Sequence, residues 1–285
     1  MRPVRIATRA SALALAQARW VAERLSRAHE GLAVTLVEIT TTGDADRTSP
    51  VTTLTEVGAF VRSVQMAVLG DRADLAVHSC KDLPVKGPDG LMAFFPERES
   101  PWDVLCGSTL DALPKWARVG TGSPRRSAQL SLLRPDLVIE GIRGNIDTRL
   151  AKVETGEYAA IVLAEAGLHR TGMHDRITQR FTVDEMVPAP GQGALAVEAV
   201  AGSRAADLMT ALDHAQTRTA AEAERALLAR TGAGCRSALG AITLQSEAGH
   251  TMHGFVEDDR GPRRAHVSHA SASEASRLLQ RELGL

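Results

Sequence analysis

Three sets of residues in this chain sit where they could do chemistry. The first is a carboxylate. In His78-Ser-Cys-Lys-Asp-Leu-Pro, Asp82 and its neighbour Lys81 close an apolar run, and the stiff Leu83-Pro84 holds the carboxylate on display. A carboxylate there can stabilise a developing positive charge and shuttle protons. The plainer reading is a turn cap or a pair with Lys81. The second is a thiol. Cys235 lies in Thr231-Gly-Ala-Gly-Cys-Arg-Ser, where Arg236 would lower its pKa and small neighbours leave room for a bulky adduct, as suits a nucleophile. A lone cysteine is otherwise a small buried hydrophobe. That is the reading for Cys106 in its apolar strand, with Cys80 between the two.

The third set is cationic. Of the 33 basic residues 29 are arginine and 4 lysine, and arginine offers a planar fork that grips carboxylates at two points. In Gly120-Thr-Gly-Ser-Pro-Arg-Arg, Ser123 is a good N-cap and Pro124 suits the first helical position, so Arg125 and Arg126 fall in the first turn. Cations there oppose the helix dipole by about 0.3 to 1 kcal/mol each, while the same N–H groups attract an anion. An anionic ligand would resolve the conflict; screening by water is the alternative. Ile142-Arg-Gly-Asn-Ile-Asp-Thr-Arg repeats the theme, with Arg143 and Arg149 around a junction that Asn145 or Asp147 can cap. Arg9 precedes Ser11 at the first helix start, and Arg170 follows Gly167 after a strand. All these arginines follow predicted strands, at the edge that faces the ligand crevice in open parallel sheets. No G-x-x-x-x-G-K-[ST] or G-x-G-x-x-G pattern follows a strand, which favours small polycarboxylates over nucleotides.

The elements that must carry these residues are legible as apolar periodicity. Strands are predicted over Val4–Thr8, Ala33–Thr40 and Ala73–His78. Between them come a helix capped by Ser11, with Leu13, Ala16, Trp20 and Val21 as its buried stripe, and a helix marked by Phe60, Val64, Ala67 and Val68. Residues 43–58 are rich in turn formers. A β-α-β-α-β series implies a largely parallel sheet. After Pro96–Pro101 the pattern restarts, with strands over Val104–Gly107, Arg118–Gly120, Leu137–Glu140 and Ala159–Ala164 and helices over Pro124–Leu133 and Ile146–Val153. Ala194–Val200 reads as a strand crossing back to the first domain. A helix over Arg218–Arg230 capped by Thr217 follows, then strands near Ala241–Gln245, Met252–Glu257 and Ala265–His269. The capping box Ser271-Ala-Ser-Glu opens a last helix. The expected division is residues 1–98 plus 194–212, residues 99–190, and residues 216–285.

Bulk properties narrow the class. A length of 285 residues suits two or three domains, and 44% hydrophobic with 24% charged residues is an ordinary globular balance. No apolar run approaches the roughly 18 residues of a membrane span, and Met1–Thr8 lacks signal-peptide features, so the expected compartment is the cytoplasm with no membrane partner. Cys80, Cys106 and Cys235 are widely spaced, which suggests neither a disulfide framework nor a zinc knuckle. The pairs His250/His253 and His266/His269 lack acidic or cysteine partners, so no metal is expected. A net charge of -1 argues against nucleic acid, and the absence of heptads favours a monomer.

Taken in order, Arg5-Ile-Ala-Thr-Arg-Ala-Ser, Ala76-Val-His-Ser-Cys-Lys-Asp-Leu-Pro, Gly120-Thr-Gly-Ser-Pro-Arg-Arg, Arg143-Gly-Asn-Ile-Asp-Thr-Arg-Leu, Pro190-Gly-Gln-Gly-Ala and Gly232-Ala-Gly-Cys resemble the porphobilinogen deaminase family. The resemblance covers nearly the whole chain and weakens after about Ile242. It implies an α/β protein of three domains: two lobes similar to type II periplasmic binding proteins, with mainly parallel mixed sheets, and a small α/β domain with a three-stranded sheet. It implies a transferase that deaminates porphobilinogen and joins four molecules head to tail into hydroxymethylbilane, releasing ammonia. The cofactor so implied is a dipyrromethane on a thioether to Cys235, without metal. Asp82 would be the catalytic carboxylate. Arg9, Ser11, Lys81, Arg125, Arg126, Arg143, Arg149 and Arg170 would bind acetate and propionate groups, with Thr121, Ser123, Asn145 and Gln192 as polar neighbours. The product would pass to uroporphyrinogen III synthase in haem biosynthesis.

One departure stands out. The family often carries a longer, lysine- and glycine-rich loop before the second helix, whereas Leu54-Thr-Glu-Val-Gly-Ala-Phe is short, lacks lysine and offers Glu56. Phe60 is then either a cover over the cofactor or a core residue. Two other readings compete: a dicarboxylate-binding module of the same fold without catalysis, which has no use for Cys235, and a paralogue that loads the cofactor but no longer elongates.

Overall fold

The computed structural model describes residues 2–39, 59–231, 238–247 and 249–285, the side chains of Ala59 and Phe60 excepted. Glu56, the side chain of Phe60, and Cys235 with its loop therefore lie outside the described residues.

The elements of the first half are β1 (Val4–Thr8), α1 (Ala12–Ala28), β2 (Val34–Glu38), α2 (Ala59–Leu69), β3 (Leu75–Ser79), β4 (Leu91–Phe94), β5 (Asp103–Cys106), β6 (Arg118–Gly120), α3 (Pro124–Leu133) and β7 (Val138–Glu140). The second half adds α4 (Ile146–Glu154), β8 (Ala160–Ala164), α5 (Glu165–Arg170), β9 (Gln179–Arg180), β10 (Leu195–Val200), α6 (Arg204–Met209), α7 (Ala215–Arg230), β11 (Ala238–Ser246), β12 (Gly249–Asp258), β13 (Gly261–His269) and α8 (Ala272–Glu282). They form two compact units, residues 1–98 with 194–218 and residues 99–193 with 219–285.

The first unit is built on a sheet of order β2-β1-β3-β10-β4. β1 pairs in parallel with β2 and β3, and β10 returns antiparallel between β3 and β4. Alternation of side chains gives the sheet two apolar faces. Ile6, Leu75, Val77, Leu195 and Val197 meet Val21 and Leu25 of α1 on one. Ala7 and Ala76 meet Val64, Ala67 and Val68 of α2 on the other. Covering both faces is why these strands read as nearly continuous apolar runs. Each fully buried aliphatic side chain contributes about 1.5–3 kcal/mol. The buried face of α1 is Gln17, Ala18, Val21 and Leu25, with Leu13, Ala16 and Trp20 only half-buried. Gln17 belongs there because its Nε2 donates to Ser79 Oγ at 2.9 Å.

In the second unit the sheet order is β7-β6-β8-β5-β9, with β7, β6 and β8 parallel and β5 antiparallel to β8. Its order matches that of the first sheet, so the expectation of two similar, mainly parallel mixed sheets holds. The third sheet is an antiparallel meander, β11-β12-β13. One face packs Met252 and Val256 on Leu279 and Leu283 of the last helical segment. The other sets Ile242 and Phe255 against Ala128 and Val187. Gly240 makes that second contact feasible, since a Cβ there would lie 2.7 Å from the Val187 carbonyl oxygen.

Several local expectations shift. α7 starts at Ala215 rather than after Thr217, whose hydroxyl instead accepts from the Arg98 N–H at 3.0 Å. β4, β9 and α6 were too short to show a period. The histidines pair across strands, His253 with His266 and His250 with His269, and the first two rings stack at 5.5 Å.

Candidate functional site

In the first unit, the parallel neighbours β1 and β3 deliver their following residues to the same sheet edge. From β1 come half-buried Arg9 and Ser11, whose hydroxyl caps α1 by accepting from the Ala14 N–H. From β3 comes a single 3-10 turn, Cys80–Asp82. Cys80 is fully buried and its N–H bonds to the Ala194 carbonyl at 3.0 Å, while the Leu83 N–H closes the turn on Cys80. With Cys80 and Leu83 pinned inside, Lys81 is half-buried and Asp82 is exposed. The sequence expectation of a displayed carboxylate at a strand end is what the turn produces. Cys80 joins Cys106 as a buried thiol, and burial pushes the Cys106 thiol up to about 11.

In the second unit the parallel strands β6, β7 and β8 send three segments to one edge. After β6, the buried Thr121 extends the pairing through its N–H to the Glu140 carbonyl, and its hydroxyl accepts from the Ser123 N–H at 3.2 Å. Ser123 and Asn145 occupy the N-cap positions of α3 and α4, yet neither side chain makes the capping bond. After β7 come exposed Arg143 and half-buried Arg149. Gly144, at φ +108°, turns the chain so that its carbonyl accepts from Arg149 Nε at 2.7 Å. After β8, half-buried Arg170 stands in the last turn of α5 rather than in a loop, and donates to the Gly193 carbonyl at 2.7 Å.

Sequence reasoning missed the residue at the centre of this edge. Asp103 opens β5 and is fully buried. Arg125 Nη1 lies 2.7 Å from its Oδ2, Arg126 Nε 2.8 Å and Gln192 Nε2 3.1 Å from its Oδ1. The same side chains also donate to carbonyls, Arg125 to Val187, Arg126 to Val162 and Gln192 to Pro101, while the buried Arg125 Nε has no hydrogen-bond partner among the described residues. The anion drawn to the start of α3 is thus Asp103, part of the protein itself. Burial pushes Asp103 up, but Arg125 and Arg126 outweigh it and hold the carboxylate well below the usual range. The only local signal was an acid at the head of an apolar strand. Glu165, at the start of α5, and Glu224, within α7, were missed because their partners are distant in sequence. Buried Glu165 pairs with Arg180, and Glu224 accepts from the Gly191 and Thr243 N–H groups.

The balance of charge at this edge is positive. Two guanidinium groups share one carboxylate, and Arg149 lies close enough to Arg126 that burial first, and repulsion second, lower its pKa. Burial brings Arg170 down to about 10, against the attraction of Glu99. Among the described residues neither Arg149 nor Arg170 makes an ion pair. Half-buried cations without a direct ion pair are unfavourable unless an anion joins them.

Comparison with known proteins identifies the family. A family model described as porphobilinogen deaminase, dipyromethane cofactor binding domain, matches residues 4–207. A porphobilinogen deaminase of Thermobifida fusca is 46% identical over 284 residues, covering 98% of this chain and 85% of that protein. The chain belongs to the porphobilinogen deaminase family. A second member, from Roseiflexus castenholzii, is 46% identical over 256 residues, covering 88% of this chain and 84% of its own. Among solved structures the chain is similar to the periplasmic VFT2 domain of Bordetella pertussis BvgS, with 15% identity, 80% of this chain and 92% of that one covered, and a TM-score of 0.41. At that score the likeness adds nothing to the topology. Asp82, the arginines and Gln192 fall inside the matched residues 4–207, and Cys235 falls beyond them.

Proposed function

We propose that this chain deaminates porphobilinogen and joins four molecules into hydroxymethylbilane, a transferase step of tetrapyrrole biosynthesis. The family supplies the reaction. The observation in this chain that supports it is the surplus of half-buried guanidinium charge at the edge formed by β6, β7 and β8, because every pyrrole brings two carboxylates. A dipyrromethane fits that surplus, and the unspent N-cap side chains of Ser123 and Asn145 suit its carboxylate oxygens. When bound, this cofactor supplies the pyrrole carbon to which the first substrate unit is joined.

Cys235 is the proposed point of attachment, through a thioether. Arg9, Ser11, Lys81, Arg143, Arg149 and Arg170 hold acetate and propionate groups. Arg125, Arg126, Thr121 and Gln192 are buried, and they act from beneath by fixing the edge on which those groups rest. Asp82 assists loss of ammonia from porphobilinogen, steadies the azafulvenium cation left behind, and accepts the proton lost when the new carbon–carbon bond has formed. Phe60 is the proposed cover. No helix among the described residues is long and apolar enough to cross a membrane. The protein acts as a cytoplasmic monomer of three domains, without metal, and passes its product to uroporphyrinogen III synthase. Incubating purified protein with porphobilinogen and assaying hydroxymethylbilane tests the reading: stoichiometric release of ammonia with product supports it, and binding without turnover refutes it.

A further inference from the structure

Resting on that reading, the buried carboxylate beneath the arginines has a role of its own. Asp103 is not one end of a simple ion pair. Two guanidinium forks and one amide converge on its two oxygens, as a receptor converges on a carboxylate ligand. Each of those donors also holds a backbone carbonyl, so their poses are fixed by Val187, Val162 and Pro101 as well. Two cations against one anion leave the cluster one charge positive, with Arg149 beside it.

We propose that Asp103 is a positioning residue of the anion site. By filling the receptor made by Arg125, Arg126 and Gln192 it fixes both guanidinium groups at the start of α3 and leaves one surplus charge there for a ligand carboxylate. This arrangement explains why two arginines sit at the positive end of a helix. Without Asp103 they would repel each other and the helix dipole, and would leave the edge.

The test compares full-length wild type, Asp103→Asn and Asp103→Ala for cofactor occupancy by intact mass, for KM and kcat with porphobilinogen, and for Tm. Each is measured with formate or with chloride at equal ionic strength. Asp103→Asn keeps the shape but not the charge, and its KM is expected to rise on the order of 100-fold with a smaller change in kcat. Asp103→Ala opens a space that formate fills, so formate restores KM and raises Tm saturably while chloride does neither. A wild-type KM in Asp103→Asn, or equal recovery with formate and chloride, overturns the proposal. If both variants fail to fold, Gln192→Glu places a second carboxylate beside Asp103 and cancels the surplus charge of the two guanidinium groups. It should raise KM about tenfold or more with the fold retained, and an unchanged KM overturns the proposal. A wild type that makes no tetrapyrrole sinks the reaction instead, and the Tm response of Asp103→Ala to formate still decides the role of Asp103.

Discussion

Oδ2 of Asp103 lies 2.7 Å from Nη1 of Arg125, and both side chains are buried. The pair joins the head of β5 to the first turn of α3, so the strand and the helix cannot part without exposing an unpaired charge. Arg125→Ala is therefore expected to destabilise the chain by about 3–5 kcal/mol, seen as a lower urea midpoint at unchanged slope. A loss under about 1 kcal/mol, the range of exposed pairs, would contradict the burial argument.

The same carboxylate sets a pH dependence. Its folded pKa is depressed, so its stabilisation is complete above the unfolded value of about 3.9 and is lost as pH falls toward the folded value. Wild type should lose stability below about pH 4 more steeply than Asp103→Asn, which has no proton to take up there. Urea midpoints measured from neutral to acid pH check this, and parallel curves for the two proteins would refute it.

Asp82 is exposed at the end of a pinned turn, so replacing it should leave the fold alone. Asp82→Asn is expected to lower kcat by about 10²- to 10⁴-fold, the usual worth of a positioned acid–base group, with Tm unchanged. Steady-state kinetics beside a thermal melt separate this from a structural role, in which Tm would fall and kcat of the folded fraction would not.

Arg149 contributes one described bond to its own loop, from Nε to the Gly144 carbonyl, and little to any core. Arg149→Ala should raise KM for porphobilinogen about 10- to 100-fold, as loss of a charged hydrogen bond does, while the urea midpoint barely moves. Equal KM values would remove Arg149 from the anion site.

How much of this was written in the sequence depends on the range of the interaction. α3 was readable to the residue because Ser123, Pro124 and the apolar period are local. The displayed Asp82 followed from neighbours within a few positions, and the returning strand β10 from an apolar run interrupted only by Glu198. What escaped rests on distant partners. Asp103 meets Arg125 and Gln192, which are 22 and 89 positions away, and nothing near Asp103 announces either. The same holds for the buried face of α1, where Gln17 turns inward to reach Ser79, 62 positions on. The arginines at the start of α3 were noticed as a conflict with the helix dipole, and the conflict was real. Its resolution lay inside the protein.

A carboxylate-rich cofactor held by Cys235 is what the proposed reaction requires, and intact-protein mass spectrometry of the purified chain reads it directly. Wild type should exceed the mass of the bare polypeptide by two deaminated porphobilinogen units, and Cys235→Ser should show no excess. A folded wild type at the bare mass, or an excess that survives in Cys235→Ser, would contradict it.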